Sequence, residues 1–124
     1  MPTGEALYIG LMSGTSVDSI DAALVDPGGE SPRLLQTHDH PIGDYRRRAI
    51  AAISQPGDDE IARLGALDRE LGALFAQAAI DLLDSAGVDA GLVTAIGSHG
   101  QTIRHLPPSC GAAQPFTLQI GDPN

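Results

Sequence analysis

The sequence predicts an α/β domain in which a three-strand meander is followed by helices and then by further strands. Three observations support this fold class. Short apolar runs separated by turn residues occupy the N-terminal third, apolar residues then recur every three or four positions, and two more apolar runs follow. With 124 residues the chain can hold one domain with a core, but not two full domains with a cleft between them.

The first three strands are predicted at residues 6–12, 20–25 and 33–38. Residues 6–12 (ALYIGLM) are almost continuously apolar, which is typical of a strand buried on both faces. Residues 26–29 (DPGG) predict a tight turn. Short strands joined by such turns indicate an antiparallel meander.

Two helices are predicted next. Asp44 is placed to cap the first helix, and residues 55–57 (QPG) end it. Asp58 or Asp59 then caps a helix of about seven turns that Gly87 ends. The apolar positions expected on the buried face of this long helix are Ile61, Leu64, Leu67, Leu71, Leu74, Phe75, Ala78 and Leu82.

The C-terminal part of the sequence predicts two further strands. Residues 92–97 (LVTAIG) are predicted as a buried strand, with the polar residues 98–102 directly after it. Residues 116–120 (FTLQI) form the last strand, and residues 121–124 form a turn. Because a domain normally closes with a packed helix or strand, this ending predicts a truncated domain, so that residues 1–124 are one partial domain.

Composition and charge argue against several classes of function. The chain has sixteen acidic and seven basic residues, which give a net charge of -9. This charge disfavours binding to nucleic acid or to an anionic membrane surface. All seven bases are arginine, so a Walker-type phosphate loop and a Schiff-base lysine are absent from the chain. A single cysteine, Cys110, and the absence of a signal-like N-terminus or a long apolar run predict a cytoplasmic protein.

The first candidate site is residues 10–21 (GLMSGTSVDSID), where an apolar strand runs into small polar residues. Gly14 permits a positive φ and close approach of a ligand to the backbone. Successive N–H groups in such a turn can bind an anion, and Asp18 and Asp21 suit Mg²⁺ or its bound waters. The alternative is an ordinary hairpin turn.

The second candidate site is residues 97–105 (GSHGQTIRH), predicted at the carboxyl end of a buried strand, where α/β folds bind ligands. His99, Gln101 and Thr102 can hydrogen-bond a polyhydroxylated ligand, and His99 can transfer protons near neutral pH. The alternative is that His99 and His105 are loop histidines with ordinary partners.

Three other features favour structural interpretations. Residues 46–48 (RRR) are expected on a solvated helix face. His38 and His40 share one face of a strand, but two ligands without a third or fourth make a weak zinc site. Gly121 and Asp122 are ordinary turn residues.

Three motifs in order carry a family resemblance: YIGLMSGTSVDSIDAAL, AIGSHGQTIRH and FTLQIGDPN. Together they resemble the anhydro-N-acetylmuramic acid kinases, bacterial enzymes of peptidoglycan recycling, over residues 7–124. The resemblance implies a ribonuclease-H-like lobe of the sugar kinase/Hsp70/actin superfamily, whose two lobes hold ATP in a cleft. This chain would be the N-terminal lobe, and the second lobe would be absent.

The implied reaction uses ATP and Mg²⁺ to open the 1,6-anhydro ring of 1,6-anhydro-N-acetylmuramic acid and to phosphorylate O6, and the family suggests a homodimer. By matching motif, the resemblance assigns ATP phosphate binding to Gly14, Thr15, Ser16, Val17, Asp18, Ser19, Ile20 and Asp21, with Asp18 toward the metal. It assigns the amino-sugar side of the cleft to Ser98, His99, Gly100, Gln101, Thr102 and Arg104.

The chain departs from the family pattern at two points. The family's phosphate segment usually reads GTSLDGID, and Ser19 stands in place of the second glycine. The family's general-base aspartate belongs to an Asp-Phe-Arg-Arg-Arg-Asp stretch expected beyond Asn124, so no catalytic residue is assigned within this chain and the chain alone is expected to be inactive. The alternatives are a non-catalytic truncated product, the partner-requiring half of a split enzyme, or another sugar kinase of the same superfold.

Overall fold

The computed structural model describes residues 6–14 and 16–124, which form two sheets, two α-helices and two single-turn 3-10 helices. The strands are β1 (Leu7–Ser13), β2 (Ser19–Asp26), β3 (Arg33–Pro41), β4 (Val93–Ser98), β5 (Gln101–Leu106) and β6 (Phe116–Ile120). The α-helices are α1 (Asp44–Ile53) and α2 (Glu60–Ala86), and the 3-10 turns are Ala90–Leu92 and Pro108–Cys110. None of the helices in this described part is both long and apolar enough to cross a membrane.

The larger sheet has the strand order β3-β2-β1-β4. The predicted meander is confirmed, because β1, β2 and β3 pair as antiparallel neighbours. β4 lies parallel to β1, after the long crossover through the helices. β5 and β6 form a separate antiparallel pair.

The core lies on one face of the larger sheet. Along β1, Leu7, Ile9 and Leu11 are buried while the residues between them are exposed. Burial of β1 on both faces was therefore a wrong prediction for this chain, because α2 covers only one face. On α2 the buried positions are Leu67, Leu71, Phe75, Ala78, Ala79, Leu82 and Leu83.

Two predictions of burial are wrong for a similar reason. Ile61 is 89% exposed, since it lies in the first turn of α2 and faces an open groove beside Phe116 and Leu118. β4 was expected to be buried, yet Ile96 is 52% exposed. β4 is one of the two edge strands of the larger sheet, and no described element covers it.

The helices end where the sequence predicts, except that the N-cap of α1 lies one residue earlier than predicted. Gly87 adopts a left-handed conformation at φ 66° and ends α2, as predicted. Asp44 is the first residue of α1 and not its cap, which is Gly43 at φ 87°. In that first turn the carboxylate still interacts favourably with the helix dipole.

The first two residues after β6, Gly121 and Asp122, pack against α2. The Gly121 amide donates to Asp68 Oδ1 at 2.7 Å, and the Asp122 amide donates to the Asp68 carbonyl at 3.1 Å. A Cβ atom on Gly72 would overlap the backbone of Asp122, so the close approach requires glycine in the middle of the helix. The structure assigns no turn to residues 121–124, where the sequence predicted one, because the backbone of Gly121 and Asp122 bonds to α2 instead. These bonds anchor the end of β6 to the core helix.

Replacing the two glycines of α2 by alanine should change stability in opposite directions. Gly65 is exposed and a Cβ there meets no atom within 4 Å, so Gly65→Ala should stabilise the protein by ~0.5–1 kcal/mol through helix propensity. Gly72→Ala should destabilise it, because segment 121–124 must move. Urea unfolding followed by circular dichroism measures both, and equal stabilisation would show that the segment is not docked on α2.

Candidate functional site

An open cleft of about 670 Å³ brings the β1–β2 loop, α1 and the start of β5 together. Both predicted motifs contribute to its wall. The lining residues are Ser16, Val17, Asp44, Arg47, Arg48, Ile50, Ala51, Ser54, Gln101 and Thr102. Residues far apart in the chain therefore meet at one surface depression.

The β1–β2 loop is a tight turn with a strained residue. The Val17 amide donates to the Gly14 carbonyl at 3.2 Å, and Val17 has φ 57°. A β-branched residue in this left-handed region costs of order 1–3 kcal/mol, and such strain occurs at ligand sites. The positive φ predicted at Gly14 thus falls on Val17, while the space around Gly14 is open. Thr15 lies outside the described residues.

Ser19 and Ile20 already belong to β2, and Ser19 pairs with Pro41 of β3. Ser19 is not among the residues with positive φ, so its backbone accepts a side chain without strain. Ile20 is fully buried in the core and contributes no polar side chain to the loop. The part of the motif that reaches the cleft is consequently its first half.

One buried and two partly buried hydrogen bonds join the three motifs. Ser13 donates from Oγ to Gln101 Oε1, and these residues are 3% and 2% exposed. Gln101 Nε2 donates to the Thr102 carbonyl at 2.9 Å, while Gln119 Nε2 donates to Thr102 Oγ1 at 3.0 Å. The base of the loop is thereby tied to β5, and β5 to β6.

The residues of the predicted sugar-binding segment do not lie together in the structure. Two line the cleft, two are exposed at the end of β4, and Gly100 and Arg104 have structural partners. Thr102 and Gln101 line the cleft. Ser98 and His99 are exposed at the end of β4, where the His99 amide donates to the Leu11 carbonyl at 2.9 Å. Residues 101–106 form β5, a strand that the sequence did not predict, in which Gln101 and Ile103 are buried.

Gly100 and Arg104 have structural partners. Gly100 has φ 75°, and a Cβ there would lie 2.6 Å from the Ile120 carbonyl oxygen, so the β4–β5 turn requires glycine. Arg104 forms an ion pair with Glu60 and donates from Nε to the Ile53 carbonyl at 3.2 Å. Arg104 therefore lies outside the cleft, where it links β5 to the α1–α2 connection.

Asp21 lies on the exposed face of the sheet, beside Asp39 of β3. Together with His99 and Met12 they line a second open depression of about 550 Å³. Loss of solvent around the Asp21 carboxylate raises its pKa, and a hydrogen bond and the negative charge of Asp39 act in the same direction. Asp21 is thus separated from the cleft that Ser16 and Val17 line.

Two arginines of α1, Arg47 and Arg48, line the cleft. The sequence predicted only that residues 46–48 lie on a solvated helix face. Arg47 lies 3.4 Å from Asp18 Oδ1 and 3.5 Å from Asp44 Oδ1, measured from its two Nη atoms. Arg48 also lines the cleft, whereas Arg46 faces Glu70 on α2. No local pattern distinguishes the three, because only the placement of α1 beside the loop decides which arginines point there.

The cleft has the groups that an oligophosphate needs. Guanidinium groups bind phosphate with planar pairs of donors, and the hydroxyl of Ser16, which also lines the cleft, is a further donor. Asp18 is exposed, and hydrated Mg²⁺ is usually held on phosphates by only one or two carboxylates. The donor set therefore fits a metal-bound phosphate ester.

Known protein sequences of one family match this chain over the region that contains these motifs. The sequence profile of a family described as anhydro-N-acetylmuramic acid kinase matches residues 6–124. The anhydro-N-acetylmuramic acid kinase of Shewanella amazonensis is 52% identical over 120 residues, which cover 97% of this chain and 32% of that protein. The anhydro-N-acetylmuramic acid kinase of Shewanella loihica is 51% identical over 117 residues, which cover 94% of this chain and 31% of that protein.

This chain spans about a third of the length of the curated relatives it matches. The matched region includes the β1–β2 loop, both cleft-lining arginines and the start of β5. Because the profile covers nearly the whole sequence, the chain belongs to the anhydro-N-acetylmuramic acid kinase family.

Proposed function

We propose that this chain supplies the phosphate-binding part of a kinase that converts 1,6-anhydro-N-acetylmuramic acid and ATP into N-acetylmuramic acid 6-phosphate and ADP. The observation that carries the proposal is the cleft where Arg47 and Arg48 face the β1–β2 loop of the family motif. This reaction belongs to peptidoglycan recycling. The single cysteine fits a reducing compartment, so we propose a cytoplasmic location.

In the proposed reaction, water adds to the anomeric carbon and the bond from that carbon to O6 breaks. O6 then takes the γ-phosphoryl group, ADP leaves, and a general base accepts the proton of the water. We propose, from the family resemblance, that this base is supplied from outside residues 1–124. The contribution of this chain is positioning and charge neutralisation, which dominate phosphoryl transfer.

We assign the phosphate side to the loop from Gly14 to Ser19 and to the two arginines. Arg47 and Arg48 would neutralise phosphate oxygens, while Asp18 would hold a hydrated Mg²⁺, which supplies further positive charge when bound. On nucleotide binding, Arg47 would exchange part of its interaction with Asp18 and Asp44 for the phosphate.

We assign the sugar side to the segment from Ser98 to Thr102 and to Arg104. The exposed side chains of Ser98 and His99 and the hydroxyl of Thr102 are the groups able to contact a sugar directly. Gln101 and Arg104 would act through position, since their polar atoms bond Ser13 and Glu60.

A second candidate function is the partner-requiring half of a split enzyme. The exposed edge strand β4, with Ile96 52% exposed, favours it, because an unpaired apolar edge is a site of association. A second copy of this chain, as in the homodimer that the family suggests, or a chain supplying the second lobe would cover this edge.

Fusing residues 1–124 to the remaining sequence of the Shewanella amazonensis relative should give an active kinase. We expect equal amounts of N-acetylmuramic acid 6-phosphate and ADP, whereas the chain alone should be at least ~10²–10⁴-fold slower without its general base. The intact relative is the control. A folded chimera that forms no product would contradict the proposal, and a preference for another sugar would support a different kinase of the same superfold.

In that chimera, Arg47→Gln should weaken ATP binding. Losing a charged hydrogen-bond partner of phosphate costs ~1.5–3 kcal/mol, so the KM for ATP should rise about 10- to 100-fold. Arg46→Gln is the matched control, since Arg46 lies on the same helix but faces Glu70, and it should change KM less than about twofold. Equal effects of the two substitutions would remove Arg47 from the proposed phosphate site.

Ser13→Ala should destabilise the chain by ~1–3 kcal/mol, because it leaves the buried Gln101 Oε1 without its donor. The double variant Ser13→Ala with Gln101→Met should recover part of this loss, because no unsatisfied amide then remains. A double-mutant cycle from urea unfolding measures the coupling between the two sites. Additive effects would mean that this hydrogen bond does not link the two motifs energetically.

A further inference from the structure

Two histidines and an aspartate converge between β3 and α2, and none of them lines the cleft. His38 and His40 are alternate residues of β3 and share one face of that strand. Asp81 comes from the facing side of α2. In the sequence the histidine pair lacks a third ligand, and the fold brings that ligand to the pair.

The distances within this His38–His40–Asp81 cluster suit one small cation. His38 Nε2 lies 3.2 Å from His40 Nδ1, and His40 Nδ1 lies 3.4 Å from Asp81 Oδ2. Atoms bound at ~2.0–2.1 Å to one tetrahedral zinc ion lie about 3.3 Å apart. The remaining pair, His38 Nε2 and Asp81 Oδ2, is 3.9 Å apart, which a small rotation of the carboxylate would shorten.

A neighbouring side chain orients the carboxylate of Asp81. Gln77, one turn earlier on α2, donates from Nε2 to Asp81 Oδ1 at 2.8 Å. This hydrogen bond leaves Oδ2 as the oxygen nearer the histidines. A metal-ligating carboxylate normally has such a hydrogen-bond partner, which holds its geometry.

The cluster is partly buried but reachable from solvent. The side chains of His40, His38 and Asp81 are 16%, 27% and 37% exposed. Partial burial restricts the rotamers of the ligands, and the remaining exposure leaves room for a water molecule as a fourth ligand. Imidazole nitrogen together with one carboxylate favours zinc and related transition metals over Mg²⁺ or Ca²⁺.

We propose that His38 Nε2, His40 Nδ1 and Asp81 Oδ2 form a Zn²⁺ site that joins the edge strand β3 to α2. The site is separate from the proposed nucleotide cleft and does not depend on the kinase function. The bound ion would crosslink two elements that are 41 residues apart in sequence at His40 and Asp81. Because the folded chain would bind Zn²⁺ more tightly than the unfolded chain does, zinc would raise the free energy of unfolding.

The test is a titration of the metal-free chain with ZnCl₂ by isothermal calorimetry. Co²⁺ serves as a spectroscopic probe, because a tetrahedral site with nitrogen and oxygen ligands gives visible absorption bands. We expect one Zn²⁺ per chain with a micromolar or tighter Kd, and a higher Tm in the presence of zinc. His40→Gln and Asp81→Asn should each weaken binding at least tenfold, and Gln77→Ala about tenfold through the orientation of Asp81.

His105→Gln is the matched control, since His105 is an exposed histidine of β5 outside the cluster. It should leave the affinity unchanged. Circular dichroism of each variant confirms that it is folded, and Asp81→Asn keeps the shape of the side chain and its acceptor for Gln77. The proposal is overturned if the unaltered chain binds no zinc, or if His105→Gln weakens binding as much as His40→Gln. Retention of full affinity by Asp81→Asn also overturns it, because Asp81 would then not be a zinc ligand.

Discussion

Packing of α2 across a single face of the four-stranded sheet is the constraint on which the rest of the structure depends. It buries Leu7, Ile9 and Leu11 of β1 against Leu71 and its neighbours on the helix. Removal of this apolar surface from water is the main favourable term in folding. The same geometry leaves the opposite face and the β4 edge open, and it sets where the β1–β2 loop and α1 meet.

The cleft follows from that arrangement in two steps. Because β1 runs parallel to β4, the loop after β1 and the turn after β4 lie at the same end of the sheet. The buried hydrogen bond from Ser13 to Gln101 then holds the loop base against β5. A buried polar pair of this kind costs free energy if either partner is removed, so it couples the position of the loop to that of β5.

Local charge at the cleft differs from the charge of the whole chain. The net charge is -9, which on its own would repel an oligophosphate. Arg47 and Arg48 place two guanidinium groups on the cleft wall, and charges that close to a bound anion act on it more strongly than distant ones. Asp18 and Asp44 keep Arg47 oriented by ion pairs that are weak enough, at an exposed site, to be exchanged for a ligand.

The amino-acid sequence by itself determined the meander, the two helices, the end of α2 at Gly87 and the family, because these depend on local periodicity, turn chemistry and motif order. Only the tertiary structure decided that β5 is a strand, that Ile61 and Ile96 are exposed, and that Arg47 rather than Arg46 enters the cleft. It likewise brought Asp81 to His38 and His40. The physical reason is that contacts between residues distant in sequence depend on which faces pack together, and no local pattern encodes that choice.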